Sequence, residues 1–135
     1  MADGETLRTG QVEAGIVVAD LEAMTSFYGG VLGLEHVNDD TGPGRILRRF
    51  MRGGGAVKLL AFDEPPTVAN PPNGMMGATG LRYLTIEVDD VQKAVERCAA
   101  AGRNVPVAPF EFAPGQKVAI VEDPEGNWVE LAQRT

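Results

Sequence analysis

The chain has 135 residues and carries 12 basic and 19 acidic side chains, which give a formal net charge of −7 at neutral pH. This acidic balance argues against nucleic acid or an anionic membrane as a partner, because both require a positive protein surface. A single cysteine excludes a disulfide framework, and no apolar run approaches the roughly 18 residues needed to span a bilayer. Since no secretory signal pattern precedes the first elements, we expect one cytoplasmic domain over residues 1–135.

The first predicted elements are a strand and a helix within residues 14–32. The strand ends shortly before Asp20, whose carboxylate is placed to cap the following helix. This helix has apolar residues at helical spacing, which predicts that one of its sides is buried. The apolar stripe is formed by Leu21, Met24, Phe27, Tyr28, Val31 and Leu32.

Three strands separated by glycine-rich turns are expected after this helix. They are predicted over residues 34–39, 45–52 and 55–62. The second of these strands mixes apolar residues with Arg45, Arg48, Arg49 and Arg52. The lack of clean alternation favours an edge strand that is protected by charge. Alternatively, an arginine of this strand that pointed into a cleft would recognise a carboxylate or a phosphate.

The same plan returns about 70 residues later in the chain. Ile16, Val18 and Asp20 correspond to Ile86, Val88 and Asp90. A strand and a helix within residues 84–102 are followed by strands expected near 104–107, 117–122 and 127–133. A turn from Asp123 to Asn127 joins the last two strands, with proline and glycine at favourable turn positions.

The chain is therefore expected to contain two modules and a connection. Module one covers about residues 12–62, and module two covers about residues 81–133. Residues 63–80 contain four prolines and three glycines, which predicts an irregular linker. In the alternative interpretation, Met75 and Met76 form an apolar cover over a pocket.

This duplicated unit resembles the vicinal oxygen chelate superfamily. The segments GIVVADLEAMTSFYGGVLGLE and EDPEGNWVEL carry the resemblance, which covers about residues 12–133. It implies an α+β fold of two tandem βαβββ modules that form a curved mixed sheet with an open cleft, and many members form homodimers. The superfamily includes glyoxalase I, extradiol dioxygenases, methylmalonyl-CoA epimerase and bleomycin-binding proteins.

Metal-binding members of this superfamily place one ligand on the first and last strand of each module. The matching positions of this chain are Glu13, Lys58, Tyr83 and Glu130. Because an ammonium group repels a divalent cation, Lys58 argues against a bound metal, and we expect no cofactor. Glu13 and Glu130 with water would be an incomplete ligand set for a hard cation. His36, the only histidine, lies away from these positions and is expected at a surface or strand edge.

Strand alternation places these four residues on the faces opposite the aliphatic core. The same faces carry the candidate substrate-binding residues Phe62, Thr85, Glu87 and Trp128. Glu13 or Glu130 would act as a base, Lys58 would hold an oxyanion and Tyr83 would donate a proton. This set suits proton abstraction beside a carbonyl, and we predict that these four residues are catalytic.

Several functions remain open at this point. The first is a metal-independent isomerase, epimerase or lyase that acts on a small organic molecule. The second is a noncatalytic protein that sequesters a drug or another small molecule in an aromatic cleft. The third is a metal-dependent glyoxalase or dioxygenase with an atypical ligand set. A salt-bridged cluster of Glu13, Lys58 and Glu130 that catalyses nothing is the structural alternative.

Overall fold

The elements of the two modules follow each other in the same order. The structure is a computed structural model that describes residues 7–134, apart from the side chain of Arg52. Module one contains β1 (Glu13–Val18), α1 (Leu21–Thr25), which continues as a π-helical turn (Ser26–Val31), β2 (Glu35–Gly42), β3 (Arg45–Arg52) and β4 (Gly55–Phe62). Module two contains β5 (Tyr83–Glu87), α2 (Val91–Ala100), β6 (Val107–Ala113), β7 (Gln116–Glu122) and β8 (Trp128–Arg134). A short 3₁₀ turn, Gly74–Met76, lies between them.

Each module forms a four-stranded mixed sheet of its own. The strand order is β1-β4-β3-β2 in module one and β5-β8-β7-β6 in module two. In both sheets the first strand pairs in parallel with the last, and the other neighbours are antiparallel. The predicted α+β fold of two βαβββ modules is therefore confirmed. Within residues 7–134, no helix has the length and apolar composition to cross a membrane.

Both helices begin at the predicted aspartate caps. Asp20 accepts a hydrogen bond from the backbone N–H of Ala23, and Asp90 accepts one from Lys93, each at 3.0 Å. These bonds satisfy N–H groups that have no partner within the first helical turn. The two caps fix where the chain leaves β1 and β5 and turns back over each sheet.

One hydrophobic core joins the helix-bearing faces of the two sheets. The apolar stripe predicted for the first helix contributes Met24, Phe27 and Tyr28, all of which are buried. From the sheets, Leu59 of β4 and Leu131 of β8 are fully buried in the same cluster. The aliphatic faces of the strands therefore lie inside, as alternation predicts, and the polar faces remain outside.

The strand predicted near residues 104–107 is wrong in position, because β6 spans Val107–Ala113. This strand contains Pro109, which cannot donate a hydrogen bond to a neighbouring strand. Proline is tolerated here because β6 is the outermost strand of its sheet. Its pairing with β7 is also irregular, since the register shifts twice.

The prediction that the arginine-rich strand lies at an edge is also wrong. β3 lies inside its sheet between β2 and β4, and β2 is the edge. The arginines of β3 are divided between the two faces, with Arg48 on the helix side. Arg48 donates to both carboxylate oxygens of Asp39 at 2.9 and 3.0 Å, and to Thr25 at 3.2 Å. Arg48 thus connects the edge strand to α1, and its hydrogen bonds to Asp39 lower the pKa of that carboxyl group to about 2.

A β-bulge in β2 decides which of its side chains face the helix. The register shifts between His36 and Asn38, so that His36 and Asp39 share one face and Asn38 points to the other. His36 Nε2 lies 2.7 Å from Asp39 Oδ1, and the imidazole packs against Phe50 with the ring centroids 5.3 Å apart. The prediction of His36 at a strand edge is confirmed.

A buried hydrogen bond connects the two modules. Tyr28 Oη donates to Asp123 Oδ2 at 2.8 Å, and the two residues are only 0% and 2% exposed. Asp123 also accepts from the backbone N–H groups of Glu125 and Asn127 and from the Asn127 side-chain amide, at 2.9 to 3.0 Å. Burial raises the pKa of both Tyr28 and Asp123, while the hydrogen bonds to Asp123 oppose that effect for the carboxyl group. The proton therefore stays on Tyr28.

The turn from Asp123 to Asn127 makes a second contact with module one. Glu125 accepts hydrogen bonds from the backbone N–H of Ala19 at 2.9 Å and of Asp20 at 2.8 Å. These two groups lie between β1 and α1. The turn of module two thus fixes the start of the helix in module one.

Replacing Tyr28 with phenylalanine tests the buried connection. Tyr28→Phe removes one donor from a buried carboxylate, and we expect the free energy of unfolding to fall by about 1–3 kcal/mol. Urea unfolding followed by circular dichroism measures this loss. The exposed hydroxyl of Tyr83 provides the matched control, and Tyr83→Phe should cost less than about 0.5 kcal/mol. Equal losses in the two variants would contradict the role given to the Tyr28 hydroxyl.

Candidate functional site

The predicted site residues lie on the sheet faces that point away from the helices, which we call the open faces. The strand register shows this directly, since Gly15 lies beside Lys58 and Thr85 lies beside Glu130. In a parallel pair, neighbouring residues project to the same side of the sheet. The open face of module one carries Glu13, Lys58 and Phe62, and that of module two carries Tyr83, Thr85, Glu87, Trp128 and Glu130.

An arginine organises the open face of module one. Arg49 Nε donates to Glu13 Oε1 at 3.0 Å, and its Nη1 donates to Asn38 Oδ1 at 3.2 Å. The side chain thus connects β1 with the edge strand β2. Lys58 lies between Gly15 and Arg49 in the register. Its side-chain ammonium forms no hydrogen bond or ion pair with any other residue in the described part of the chain.

Arg49 is the functional candidate that sequence analysis did not select. The sequence shows four arginines on one strand without showing which side each takes. The buried ring of Phe50 is the signal that could have found it, because alternation from Phe50 places Arg49 on the opposite face. The contact between Arg49 and Asn38 additionally requires the bulge in β2, which the sequence pattern does not reveal.

On the open face of module two, Glu130 is hydrogen-bonded, and no described cationic side chain of residues 7–134 is paired with it. Thr85 Oγ1 donates to Glu130 Oε1 at 2.9 Å. Tyr83 lies on the same strand as Thr85, and its side chain is exposed. Glu87, at the end of β5, forms an ion pair with Arg134. Glu87 thus lies at the rim of this face and is paired with a cation. The carboxylate in the middle of the face is that of Glu130.

The connection between the modules packs against the open face of module two. Gly74 is buried against Trp128, so closely that an added Cβ would lie 2.1 Å from the indole Cζ2. Arg82 supports this arrangement, since its Nε donates to the Gly74 carbonyl at 3.1 Å. The methionines that follow, Met75 and Met76, are exposed. The backbone at Gly74, rather than the methionine pair, makes the contact with this face.

The structure groups the four predicted catalytic residues as two pairs. Glu13 and Lys58 share the open face of one sheet, and Tyr83 and Glu130 share that of the other. Within residues 7–134 the strands form two separate sheets, and no ion pair includes Lys58. The alternative of a salt-bridged cluster of Glu13, Lys58 and Glu130 is therefore wrong for a single chain.

The donors at the four positions do not fit a metal ion. Lys58 places an ammonium group at one position, and Glu13 is bound to Arg49. Across the described residues, no three His, Cys, Asp or Glu side chains come together. A divalent cation needs several deprotonated donors around one point, which this set does not supply.

Two βαβββ modules, each with its first and last strands in parallel and a polar open face, define a glyoxalase-type fold. The chain belongs to the Glyoxalase/Bleomycin resistance protein/Dioxygenase superfamily, whose family profile matches residues 10–131.

Individual proteins with similar sequences or structures agree with this membership. The chain is 29% identical over 119 residues to a lactoylglutathione lyase of Neisseria meningitidis serogroup B. The aligned residues cover 87% of this chain and 85% of that protein. A glyoxalase family protein from Bacillus cereus superposes with a TM-score of 0.81 at 21% identity, covering 98% and 97% of the two chains. Glyoxalase I from Leishmania major superposes with a TM-score of 0.72 at 20% identity, and the superposition covers 93% of this chain and 87% of that chain. The structural similarities show a shared fold.

The contact between Gly74 and Trp128 gives a testable prediction. Gly74→Ala places a methyl group against the indole at a positive φ of 53°. We expect the connection to move away from Trp128, so that the emission of this single tryptophan shifts to the red and stability falls by about 1–3 kcal/mol. Steady-state fluorescence and urea unfolding measure the two effects.

Gly80→Ala is the matched control for this variant. Gly80 also has a positive φ, 100°, but an added Cβ would meet no atom within 4 Å. It therefore introduces backbone strain without the clash and should leave the emission maximum unchanged. If both variants shift the emission equally, the packing of Gly74 on Trp128 is not the cause.

Proposed function

We propose that this protein is an isomerase- or lyase-type enzyme that removes a proton beside a carbonyl group of a small organic molecule, without a metal ion. One observation carries the proposal. Among the described residues, the Lys58 ammonium on one open face has no partner, and the Glu130 carboxylate on the other has no cation partner. Similarity to a lactoylglutathione lyase supports this chemistry, because lactoylglutathione has a C–H bond next to a thioester carbonyl.

Glu130 is better suited than Glu13 to act as the base. Glu13 Oε1 accepts a hydrogen bond from Arg49 at 3.0 Å, so this carboxylate is already paired with a cation inside the chain. Glu130 is contacted by the neutral hydroxyl of Thr85. A base needs a carboxylate that can accept a proton in the transition state. We therefore assign proton abstraction to Glu130. The role we assign to Glu13 is to hold Arg49 in its orientation.

The reaction uses three groups in sequence. Glu130 takes the proton from carbon, the C–H electron pair forms a C=C bond, and the carbonyl π pair moves to oxygen, which gives an enolate. The Lys58 ammonium donates a hydrogen bond to the enolate oxygen, where negative charge develops. Tyr83 then donates its hydroxyl proton to carbon, on the other face or on the next carbon, as the carbonyl reforms. The proton held by Glu130 returns to Tyr83 through water.

A homodimer would bring the two open faces together. The open faces carry four large apolar or aromatic residues, each with 41% to 50% of its surface exposed: Val17, Phe62, Tyr83 and Phe110. Exposed apolar surface of this kind is typical of an interaction site. In a two-fold dimer every contact between different residues occurs twice, so a contact between module one of one subunit and module two of its partner would form two equal sites. Lys58 and Glu130 of one site would then come from different subunits.

Substitution of Glu130 tests the assigned base. We expect Glu130→Gln to slow proton exchange by about 100-fold or more, because an amide cannot accept the proton. The measurement is deuterium incorporation from D₂O beside the carbonyl of lactoylglutathione and of pyruvate, followed by NMR. Glu13→Gln is the matched carboxylate control and should slow exchange by about tenfold or less.

Three outcomes would count against this proposal. Equal effects of the two substitutions would remove the distinction between Glu130 and Glu13. Stoichiometric iron, nickel, zinc or manganese in protein purified without chelator would contradict the metal-independent mechanism. Tight binding of these compounds without any exchange by the unsubstituted protein would favour sequestration of a small molecule.

Mixing two inactive variants tests whether the site is shared between subunits. Lys58→Gln and Glu130→Gln should each be inactive, but a mixed dimer has one site that keeps both native residues. After random reassociation half of the dimers are mixed, so activity should recover to about one quarter of the native value. The recovery is measured by deuterium exchange after subunit exchange in dilute urea. If the site lies within one chain, mixing restores nothing.

A further inference from the structure

We propose that the open face of module one binds the acid group of the substrate, with Arg49 and Lys58 as the ligands of that anion. The substrate is then a small organic acid whose carboxylate or phosphate lies close to the reacting carbonyl. The link to a reacting carbonyl rests on the proposed function, whereas the anion-binding site is argued from module one alone and is tested by binding.

The first argument is the direct opposition of two cations. Arg49 and Lys58 are register partners on antiparallel strands, so their side chains are neighbours on one face. Like charges placed opposite each other in this way are destabilising. Glu13 is the carboxylate that contacts this pair, through Arg49, and it balances one of the two charges. A bound anion would balance the other.

The second argument is that Arg49 is held in place by only some of its N–H groups. Arg49 is held by Glu13 at its Nε and by Asn38 at its Nη1, which leaves Nη2 without a partner in the described residues. The ammonium of Lys58 likewise has no partner there. An oriented guanidinium with free N–H groups is suited to a carboxylate or phosphate.

The third argument is open space beside these donors. Gly15 is the neighbour of Lys58 on β1, and a Cβ added at Gly15 would meet no atom within 4 Å. The flanking residues of this face, Glu13 and Val17, have side chains, so the glycine leaves a gap between them. A small ligand can lie over Gly15 and reach both Lys58 and Arg49.

Other charged residues of this face are arranged differently. Glu35 and Asp40 share the open face by register, but both belong to the edge strand β2, two strands from Lys58. Arg45 is also on this face, and its Nη1 donates to the Asp40 carbonyl at 3.4 Å. The cationic site is therefore confined to Arg49 and Lys58, and Arg45 is a neighbouring cation outside it.

The roles of the two cations follow from what holds them. Arg49 is fixed at two points, so it is suited to the acid group, which keeps its charge throughout the reaction. Lys58 has three N–H donors and no partner in the described residues, so it can contact the acid group and also the neighbouring carbonyl oxygen as that oxygen becomes an enolate. Side chains opposite each other on neighbouring strands begin about 5 Å apart, which places the acid group and the carbonyl close together in the substrate.

Binding of three simple probes tests this site. Pyruvate, inorganic phosphate and uncharged methyl pyruvate are titrated into ¹⁵N-labelled protein, and the amide signals around Gly15 are followed by NMR. We expect the two anions to shift these signals saturably and methyl pyruvate to leave them unchanged. Arg49→Gln and Lys58→Gln should each weaken anion binding by about tenfold, because each removes a charge-assisted hydrogen bond.

Two further variants separate recognition from general effects of charge and folding. Arg45→Gln is the matched control, since it removes a cation from the same strand and face, and it should change the affinity less than about twofold. Gly15→Val keeps every charge and fills the space over Lys58. It should abolish anion binding while the urea unfolding midpoint stays that of the native protein.

The results of these experiments distinguish the kind of anion bound, the anion site itself and the proposed function. Binding of pyruvate alone would assign the site to carboxylates, and binding of phosphate alone would assign it to phosphate esters. The site is refuted if neither anion binds, if Gly15→Val binds them normally, or if Arg45→Gln weakens binding as much as Arg49→Gln. Anion binding without deuterium exchange would overturn the proposed function alone. Equally efficient exchange of methyl pyruvate and pyruvate would overturn the anion site alone.

Discussion

The carboxylate of Asp123 determines how the two halves of this protein meet. It is buried and accepts four hydrogen bonds, one of them from Tyr28 in the other module. Because the turn around it also holds the backbone at Ala19 and Asp20 through Glu125, the modules are joined on their helix-bearing sides. The opposite sides of both sheets are left outside this core, and they carry the predicted site residues. The position of the candidate site is thus a consequence of which faces are used to build the core.

Much of the fold could be predicted because its determinants are local. Alternation places Leu59 and Leu131 in the core, and the spacing of Asp20 and Asp90 marks the start of both helices. Features that depend on distant pairing could not be predicted in this way. The interior place of β3 and the tolerance of proline in β6 follow from strand order, which is a property of the whole sheet. The bond between Tyr28 and Asp123 joins residues 95 positions apart.

In the candidate site, too, features with local determinants could be predicted and features that depend on distant pairing could not. The period of a strand is sufficient to place Lys58 and Glu130 on open faces, and the register agrees. It is not sufficient to identify Arg49 as the partner of Glu13, because that contact crosses a strand and is supported by Asn38 at a bulge. Nor can periodicity show that the two halves of the site lie on separate sheets. In the proposed homodimer their meeting depends on assembly between chains, which leaves no periodic pattern in a single sequence.

Gly15 has a consequence for how this family member acquires or changes its ligand. Its φ lies outside the positive range, so the backbone there does not require glycine, and no neighbouring atom would obstruct a side chain. Gly15 differs in this respect from the residues of the hydrophobic core, where nearly every change of side-chain volume affects stability. In the proposed anion site, the residue at position 15 sets the space that is open to the ligand, and a larger side chain there would not clash with the rest of the fold. Selection for a shorter or longer molecule could therefore act at this position without any compensating change elsewhere in the chain.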